Sequence, residues 1–427
     1  GETFLAYLFF PGYMLCPAAA SFIILFLSRI WNLSRTPAKG NGADPIRLPV
    51  RSGIWESRLE FHYHYSNFLV YGGAGSGKTK SIGKWLLSEY MRLGFAGFIY
   101  DFKDTDYTRT AYNLIKRHRY PHKFYYVSFD RPERSYRFNP LKVVRDRTEL
   151  IQLMEDVLLA LLPKKEQQNE WVAGGLGILR GVAFRFWDEF PEHCTLPHIL
   201  AFIMTASARQ LSLFLQQNLV SEMLAGAYLK AEGSEKTQAS YLPTLCNNLA
   251  TISQNEEIAY VLSGDDFDFN LIDPENPKLF AVSNNFSKNS VYAPVISMLM
   301  TISARQFSMQ NRVPFVYFLD EMTTVNIKNF ETLPSVLREY KAAFILLTQS
   351  GAKLENLYGK LDRSSVEANF GNMFLGRTKD VEALKYYPLF FGKEEKERRS
   401  RSSGKSGASS SSSVTVSSQK EDIYQGK

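Results

Sequence analysis

The sequence predicts an α/β fold: a mostly parallel sheet carrying a phosphate-binding loop, an all-α domain inserted into it, and an N-terminal transmembrane anchor ahead of it. Three observations predict this. The stretch YGGAGSGKTKS sets Gly72, Gly77, Lys78 and Thr79 at the spacing of a phosphate-binding loop, between an apolar strand at 67–71 and a helical run at 78–92. Short apolar strands alternate with helices after the loop and again from residue 277, the pattern of parallel strands joined by right-handed crossovers. Between those blocks, from 148 to about 262, only helical periodicity remains.

A chain of 427 residues with 45% hydrophobic content can bury a large core in two or three folding units. Its net charge of +7 and pI near 9.0 suit a partner bearing phosphates or an anionic membrane, but the excess is too modest to indicate nucleic acid by itself. Cys16, Cys194 and Cys246 form no pattern, so neither a disulfide framework nor a cysteine zinc site is indicated, and the body is expected in a reducing cytoplasm.

No charged residue occurs from Thr3 to Ser28, and 13–27 is almost wholly apolar, so residues 1–31 are expected to form a transmembrane anchor despite Pro11, Gly12 and Pro17. A buried core helix is the alternative. The run lacks the basic leader of a secretory signal. Arg29, Arg35 and Lys39 follow it, which by the positive-inside bias leaves the rest of the chain on the cytoplasmic side. Gly1 is not a natural start, which leaves room for an upstream segment. Residues 32–66, with Pro37, Gly40, Gly42, Pro45 and Pro49, read as a linker. His62 and His64 sit two apart, as on one face of a strand, and as residues of a partly exposed strand they receive no role.

The loop residues Gly72, Gly73, Ala74, Gly75, Ser76, Gly77, Lys78 and Thr79 are the expected nucleotide-binding set. Glycines let successive backbone N–H groups turn inward around phosphate oxygens, Lys78 neutralises the outer phosphates, and Thr79 offers a hydroxyl to Mg²⁺, so ATP and Mg²⁺ are the expected cofactors. A second strand at 97–100 ends in Asp101-Phe-Lys103-Asp104, on the edge where α/β sheets gather ligand-binding groups. A helix at 107–119, a strand at 124–129 and the turn at 137–141 complete the first half of the nucleotide-binding domain, 67–141.

Residues 142–269 form the inserted all-α domain, in which Leu150, Met154, Val157, Leu158 and Leu161 share one helical face. Further runs are expected at 171–190, 196–204, 208–219, 221–230 and 234–253. His193, Cys194 and His198 resemble a metal cluster, but a fourth ligand is missing and Pro191 and Pro197 flank them, so a loop between helices is the better reading.

The nucleotide-binding domain resumes over 270–395. Its strand at 313–319 delivers Asp320 and Glu321, where an acidic pair beside a phosphate loop would hold Mg²⁺ through water (Asp320) and polarise the attacking water (Glu321). A helix at 330–340 precedes the strand at 342–347, which ends in Thr348-Gln349-Ser350; the Gln349 amide is placed to touch a γ-phosphate or its water, or else to cap the next helix. Residues 396–420 are Ser-rich and read as a flexible segment, and 421–427 as the start of a further element.

Together these motifs carry a family resemblance. GGAGSGKTKS, DFKD at 101–104, FNPL at 138–141, FLDEMTTV from Phe318 and LLTQS from Leu346, in this order and with the helical insertion after FNPL, resemble the coupling proteins of bacterial conjugation and type IV secretion, relatives of hexameric DNA-pumping ATPases. The resemblance implies a RecA-like P-loop NTPase, membrane-anchored and assembled as a homo-hexamer at the bacterial inner membrane. Its implied work is to couple a single-stranded DNA–relaxase complex or a protein substrate to the inner-membrane proteins of a secretion channel by ATP hydrolysis. It also implies an arginine reaching the ATP site of a neighbouring subunit, for which position nominates Arg338; the alternative for Arg338 is a solvated helix charge paired to Glu339 or Glu331. The chain departs from the family in showing one clear span where two are usual, and in its Ser-rich tract. The rival expectation is a nucleotide-gated docking platform for secreted proteins that pumps no DNA. A soluble helicase is disfavoured by the anchor.

Overall fold

The computed structural model describes residues 44–52, 55–73, 75–103, 105–162, 169–231, 235–378, 381–391, 393–406 and 409–422. The expected anchor lies outside them, and among the described residues no helix is long and apolar enough to cross a membrane. The chain divides into two compact units, Gly1–Ile46 with Glu60–Tyr63, and the remainder, which holds the sheet.

Two strands, β1 (Ile46–Ser52) and β2 (Trp55–Phe61), form a small sheet inside the stretch expected to be a linker. The prolines hid an alternation, Ile46, Leu48, Val50, that is the period of a strand. Next come β3 (Phe68–Tyr71), a π-helical turn at Thr79–Gly83, α1 (Lys84–Arg92), β4 (Ala96–Asp101), α2 (Asp106–His118) and β5 (Lys123–Ser128). The helical insertion follows: α3 (Arg147–Leu161), α4 (Glu170–Glu189), α5 (Leu196–Thr205), α6 (Ala208–Gln216), α7 (Leu219–Leu224), α8 (Gly226–Lys230), α9 (Glu235–Ser253) and α10 (Glu256–Leu262). The chain then returns through β6 (Lys278–Ser283), α11 (Asn289–Arg305), β7 (Phe315–Leu319), α12 (Leu333–Glu339), β8 (Ala342–Thr348), α13 (Gly351–Tyr358), α14 (Lys360–Ala368), β9 (Asn372–Leu375) and α15 (Val381–Phe391). It ends in a hairpin of β10 (Lys393–Ser406) and β11 (Ser409–Asp422).

The seven strands from β3 to β9 form one parallel sheet in the order β5-β6-β4-β7-β8-β3-β9. Strands β3, β4, β6, β7 and β8 are buried along their whole length, as continuous apolar runs in a parallel sheet must be. The order puts β8 between the loop strand β3 and the acidic strand β7, so their C-terminal ends share one edge with a single strand between them.

The insertion joins β5 to β6, which are neighbours in the sheet. Side-chain caps start its helices: Asp146, Asn169, Thr195, Ser207 with Gln210, Asn218 and Asn255 each accept a first-turn backbone N–H. Expected as a separate module, it instead shares one continuous apolar core with the sheet, from Phe98 and Phe280 to Leu158, Ile199 and Leu249. The FNPL turn makes that junction. Phe138 donates its N–H to Val261 O (2.8 Å) and packs on Phe267, Phe269 and Phe280, while Asn139 Nδ2 reaches Cys194 O at 2.8 Å. Of the histidines expected in a loop between helices, His193 lies in the turn Pro191–His193 between α4 and α5, but His198 falls in the first turn of α5, where its N–H donates to the capping Thr195 Oγ1 (3.2 Å) and its Nδ1 lies 2.7 Å from the same hydroxyl.

The C-terminal tract departs from expectation. Residues read as flexible pair as antiparallel strands from Lys393 opposite Asp422 to Ser406 opposite Ser409, so a boundary at 396 falls inside a strand. The Val414-Thr415-Val416 run supplies strand propensity that the serines around it masked.

Candidate nucleotide-binding site

Strand β3 is clamped at both ends. At its start Asn67, at φ +57°, accepts the Phe344 N–H (2.8 Å) and donates to Asn369 O (3.0 Å), tying β3 to β8 and to the end of α14. At its end Gly72 N donates to Thr348 O (3.2 Å), and Gly376 N to Tyr71 O (2.7 Å). The loop that follows needs its glycines. A Cβ on Gly72 would stand 2.4 Å from Ser76 Oγ, and Gly77 sits at φ +83°, in the left-handed region. Gly73 N donates to Arg377 O at 3.2 Å, so the turn after β9 backs the loop. Ala74 lies outside the described residues. Gly75 is at φ +74°, and Thr79 opens the π-helical turn, a local form that recurs at functional sites.

Lys78 is buried and its ammonium is held by two acceptors, Gly72 O at 3.1 Å and Glu321 Oε1 at 2.6 Å. An ammonium has three donors, so one remains for a phosphate oxygen. Glu321, also buried, has φ +46°, an uncommon backbone state for a residue with a side chain and of the kind stored at functional sites. That backbone turn brings its carboxylate back across β8 to the loop.

Asp320 is fully buried, and neither carboxylate oxygen has a hydrogen-bond partner. Burial, with the charges of Glu321 and Asp101 added, pushes its pKa up to about 7. A buried carboxylate left unmatched beside a second one is a site short of a cation. Mg²⁺ fits: Asp320 with the Thr79 hydroxyl would hold it, and it would neutralise phosphate charge. Asp101, absent from the expected set, closes the far side. Its Oδ2 accepts Thr108 N (2.8 Å) and Oγ1 (2.9 Å), its Oδ1 has no partner, and burial raises its pKa. Its position at the end of β4 was the signal, since DFKD stood on the ligand edge of the sheet.

A sequence profile described as the type IV secretion-system coupling protein DNA-binding domain matches residues 59–423. The chain belongs to that family. Among curated proteins no sequence matches it. Among solved structures, the unbound bacterial conjugative coupling protein TrwBdeltaN70 superposes with TM-score 0.62 at 16% identity, over 91% of this chain and 83% of that one. The plasmid coupling protein TrwB in complex with ADP and Mg²⁺ gives 0.62 at 17% identity, over 86% of this chain and 81% of that one. VirB4 of Thermoanaerobacter pseudethanolicus gives 0.51 at 13% identity, over 83% and 89%. The RecA-like α/β architecture is therefore that of the coupling proteins.

The remaining two expected catalytic groups of this coupling-protein chain do not converge on the loop. Gln349 is half-exposed and accepts a hydrogen bond from Lys353 Nζ at 2.6 Å, a local side-chain contact; it does not cap α13 either, whose N-cap is Ser350 with no side-chain cap bond. Arg338 lies exposed in the last turn of α12, and among the described residues no ion pair joins it to Glu331 or Glu339.

Proposed function

We propose that the chain is an ATP-hydrolysing coupling protein. Anchored in the bacterial inner membrane by residues 13–27 and assembled as a hexamer with its body in the cytoplasm, it passes a DNA–relaxase complex or a protein substrate to the inner-membrane proteins of a type IV secretion channel. The observation that carries the enzyme reading is the acidic pair. Asp320 is buried without a partner and Glu321 is buried against Lys78, an arrangement that costs stability and makes sense only if charge arrives from outside. Support for Mg²⁺-ATP comes from the TrwB structures, which hold ADP with Mg²⁺ and non-hydrolysable GTP and ATP analogues.

In this reading Lys78 takes the outer phosphates with its third donor. Thr79 and Asp320 hold the metal, and Glu321 orients and polarises water toward the γ-phosphate. Arg338, exposed in one chain, serves the site of a neighbour. A docking platform that binds nucleotide without turning it over is favoured by one observation, the withdrawal of Gln349 to Lys353. ATP hydrolysis by the detergent-solubilised protein, with and without single-stranded DNA and with its mass measured in parallel, separates the two. Stimulated turnover in a ring supports the motor; binding with no turnover in either condition supports the platform.

A further inference from the structure

Between Asp106 and Asp130 the chain has no acidic residue, yet it carries Arg109, Lys116, Arg117, Arg119 and Lys123. Helix α2 sorts these. It buries Tyr107, Thr108, Ala111 and Leu114 against the sheet and turns Arg109, Tyr112, Asn113, Lys116 and Arg117 to solvent, at the spacing of one helical face. Tyr112 is 63% exposed at the centre of that face. Among the described residues none of Arg109, Lys116 and Arg117 has a carboxylate partner. Cations in the last turn of a helix complement its dipole, which accounts for Lys116 and Arg117 but not for Arg109, near the opposite end, where a cation is unfavourable. Nor does it account for an exposed aromatic between them. His118, at the end of the same helix, has its pKa lowered by burial and then by Arg117, which fits a local excess of positive charge.

We propose that this face of α2 is a track for single-stranded nucleic acid, with Arg109, Lys116 and Arg117 on phosphates and Tyr112 stacked on a base. The surface rests on the proposed function, whose cargo includes DNA, and places that cargo on the protein. An anionic membrane would attract the same cations, but a helix that lies on lipid needs an apolar stripe to insert, and this face offers no aliphatic side chain. The helix is also fastened to the nucleotide site. Asp101 holds Thr108, and Asp106 pairs at 2.7 Å with Lys84 of α1, the helix that leaves the loop. Strand on α2 would therefore bear on the end of β4 beside Asp320.

Anisotropy of a fluorescent oligothymidylate with the full chain tests this over a range of salt. Replacing Arg109, Lys116 and Arg117 together by Gln should weaken binding at least about tenfold and lower the slope of log K against log salt by about 2, from roughly 0.7 per lost contact on single strands. Tyr112→Ala should weaken binding about tenfold with the slope unchanged, and Tyr112→Phe should bind as wild type. ATP affinity and DNA-free ATPase of the triple variant should match wild type, which shows it folded. Wild-type binding and slope in the triple variant overturn the surface, as does loss of its affinity for phosphatidylserine vesicles alone. If wild type binds no oligonucleotide, the DNA part of the proposed function falls with it.

Discussion

The ends of the neighbouring strands β7 and β8 differ in a way that ranks their residues. At the end of β7, Asp320 and Glu321 are buried, one without any partner and the other drawn across to Lys78 through a left-handed backbone turn. At the end of β8 and on the helix before it, Gln349 and Arg338 are exposed or half-exposed and either bound locally or not paired. Buried polar groups must be matched, so the unpartnered carboxylate of the first pair points to a cation-binding role from within one chain. The second pair can acquire meaning only from a motion or from another subunit.

The largest effect expected is at Lys78. Lys78→Ala should abolish nucleotide binding, because backbone donors cannot replace its charge beside the outer phosphates. It also leaves Glu321 buried and unpaired, at a cost of about 3–5 kcal/mol, so denaturant unfolding must accompany the binding titration. Unchanged ATP affinity in the folded variant would remove the loop from the site. Arg338→Ala should bind ATP normally and hydrolyse it some hundreds of times more slowly, since an arginine acting across a boundary is worth roughly a thousandfold or more. Mixed with Lys78→Ala subunits it should regain partial activity; a mixed assembly as inactive as either parent ends the trans role.

Smaller effects sharpen the contrast. Gln349→Ala should slow turnover about tenfold if the amide leaves Lys353 during the cycle, and leave it unchanged if the contact is only a local one, which steady-state ATPase decides. Asp320 gives the clearest sign. Its folded pKa, about 7, lies above the unfolded value near 3.8, so its protonated form favours the fold below about pH 4 and that contribution is lost as pH rises to about 7. Asp320→Asn should therefore be more stable than wild type at pH 8, by on the order of 2 kcal/mol without Mg²⁺, and no more stable at pH 4, while losing Mg²⁺-dependent nucleotide binding. Melting curves at the two pH values check this, and a less stable variant at pH 8 contradicts it.

Most of the sheet was legible because its strands are buried on both faces and so read as uninterrupted apolar runs, such as Phe315–Leu319 and Ala342–Thr348. The helices of the insertion were legible from periodicity alone; the caps at Asp146, Asn169, Thr195 and Ser207 that start them emerge only in the structure. Strand β9 was missed because four half-buried residues, NMFL, carry too little pattern, although Gly376 after it marks where the chain must pass against Tyr71 O. That the insertion and sheet share a core could not be read either, since it depends on contacts such as Phe138 with Phe267 that no local window contains. At the site, letters gave Lys78, Asp320 and Glu321 their roles; only distance and burial showed that they meet, and that Gln349 and Arg338 stand apart within one chain.

The central claim is that Glu321 polarises water for attack on a nucleotide held by Lys78. Single-turnover hydrolysis by Glu321→Gln tests it most directly, because the amide still fits beside Lys78 and can hold a water without activating it. The expected result is ATP bound with about wild-type affinity and cleaved at least a hundredfold more slowly, with or without single-stranded DNA. Cleavage at the wild-type rate would contradict it and move the base to another residue.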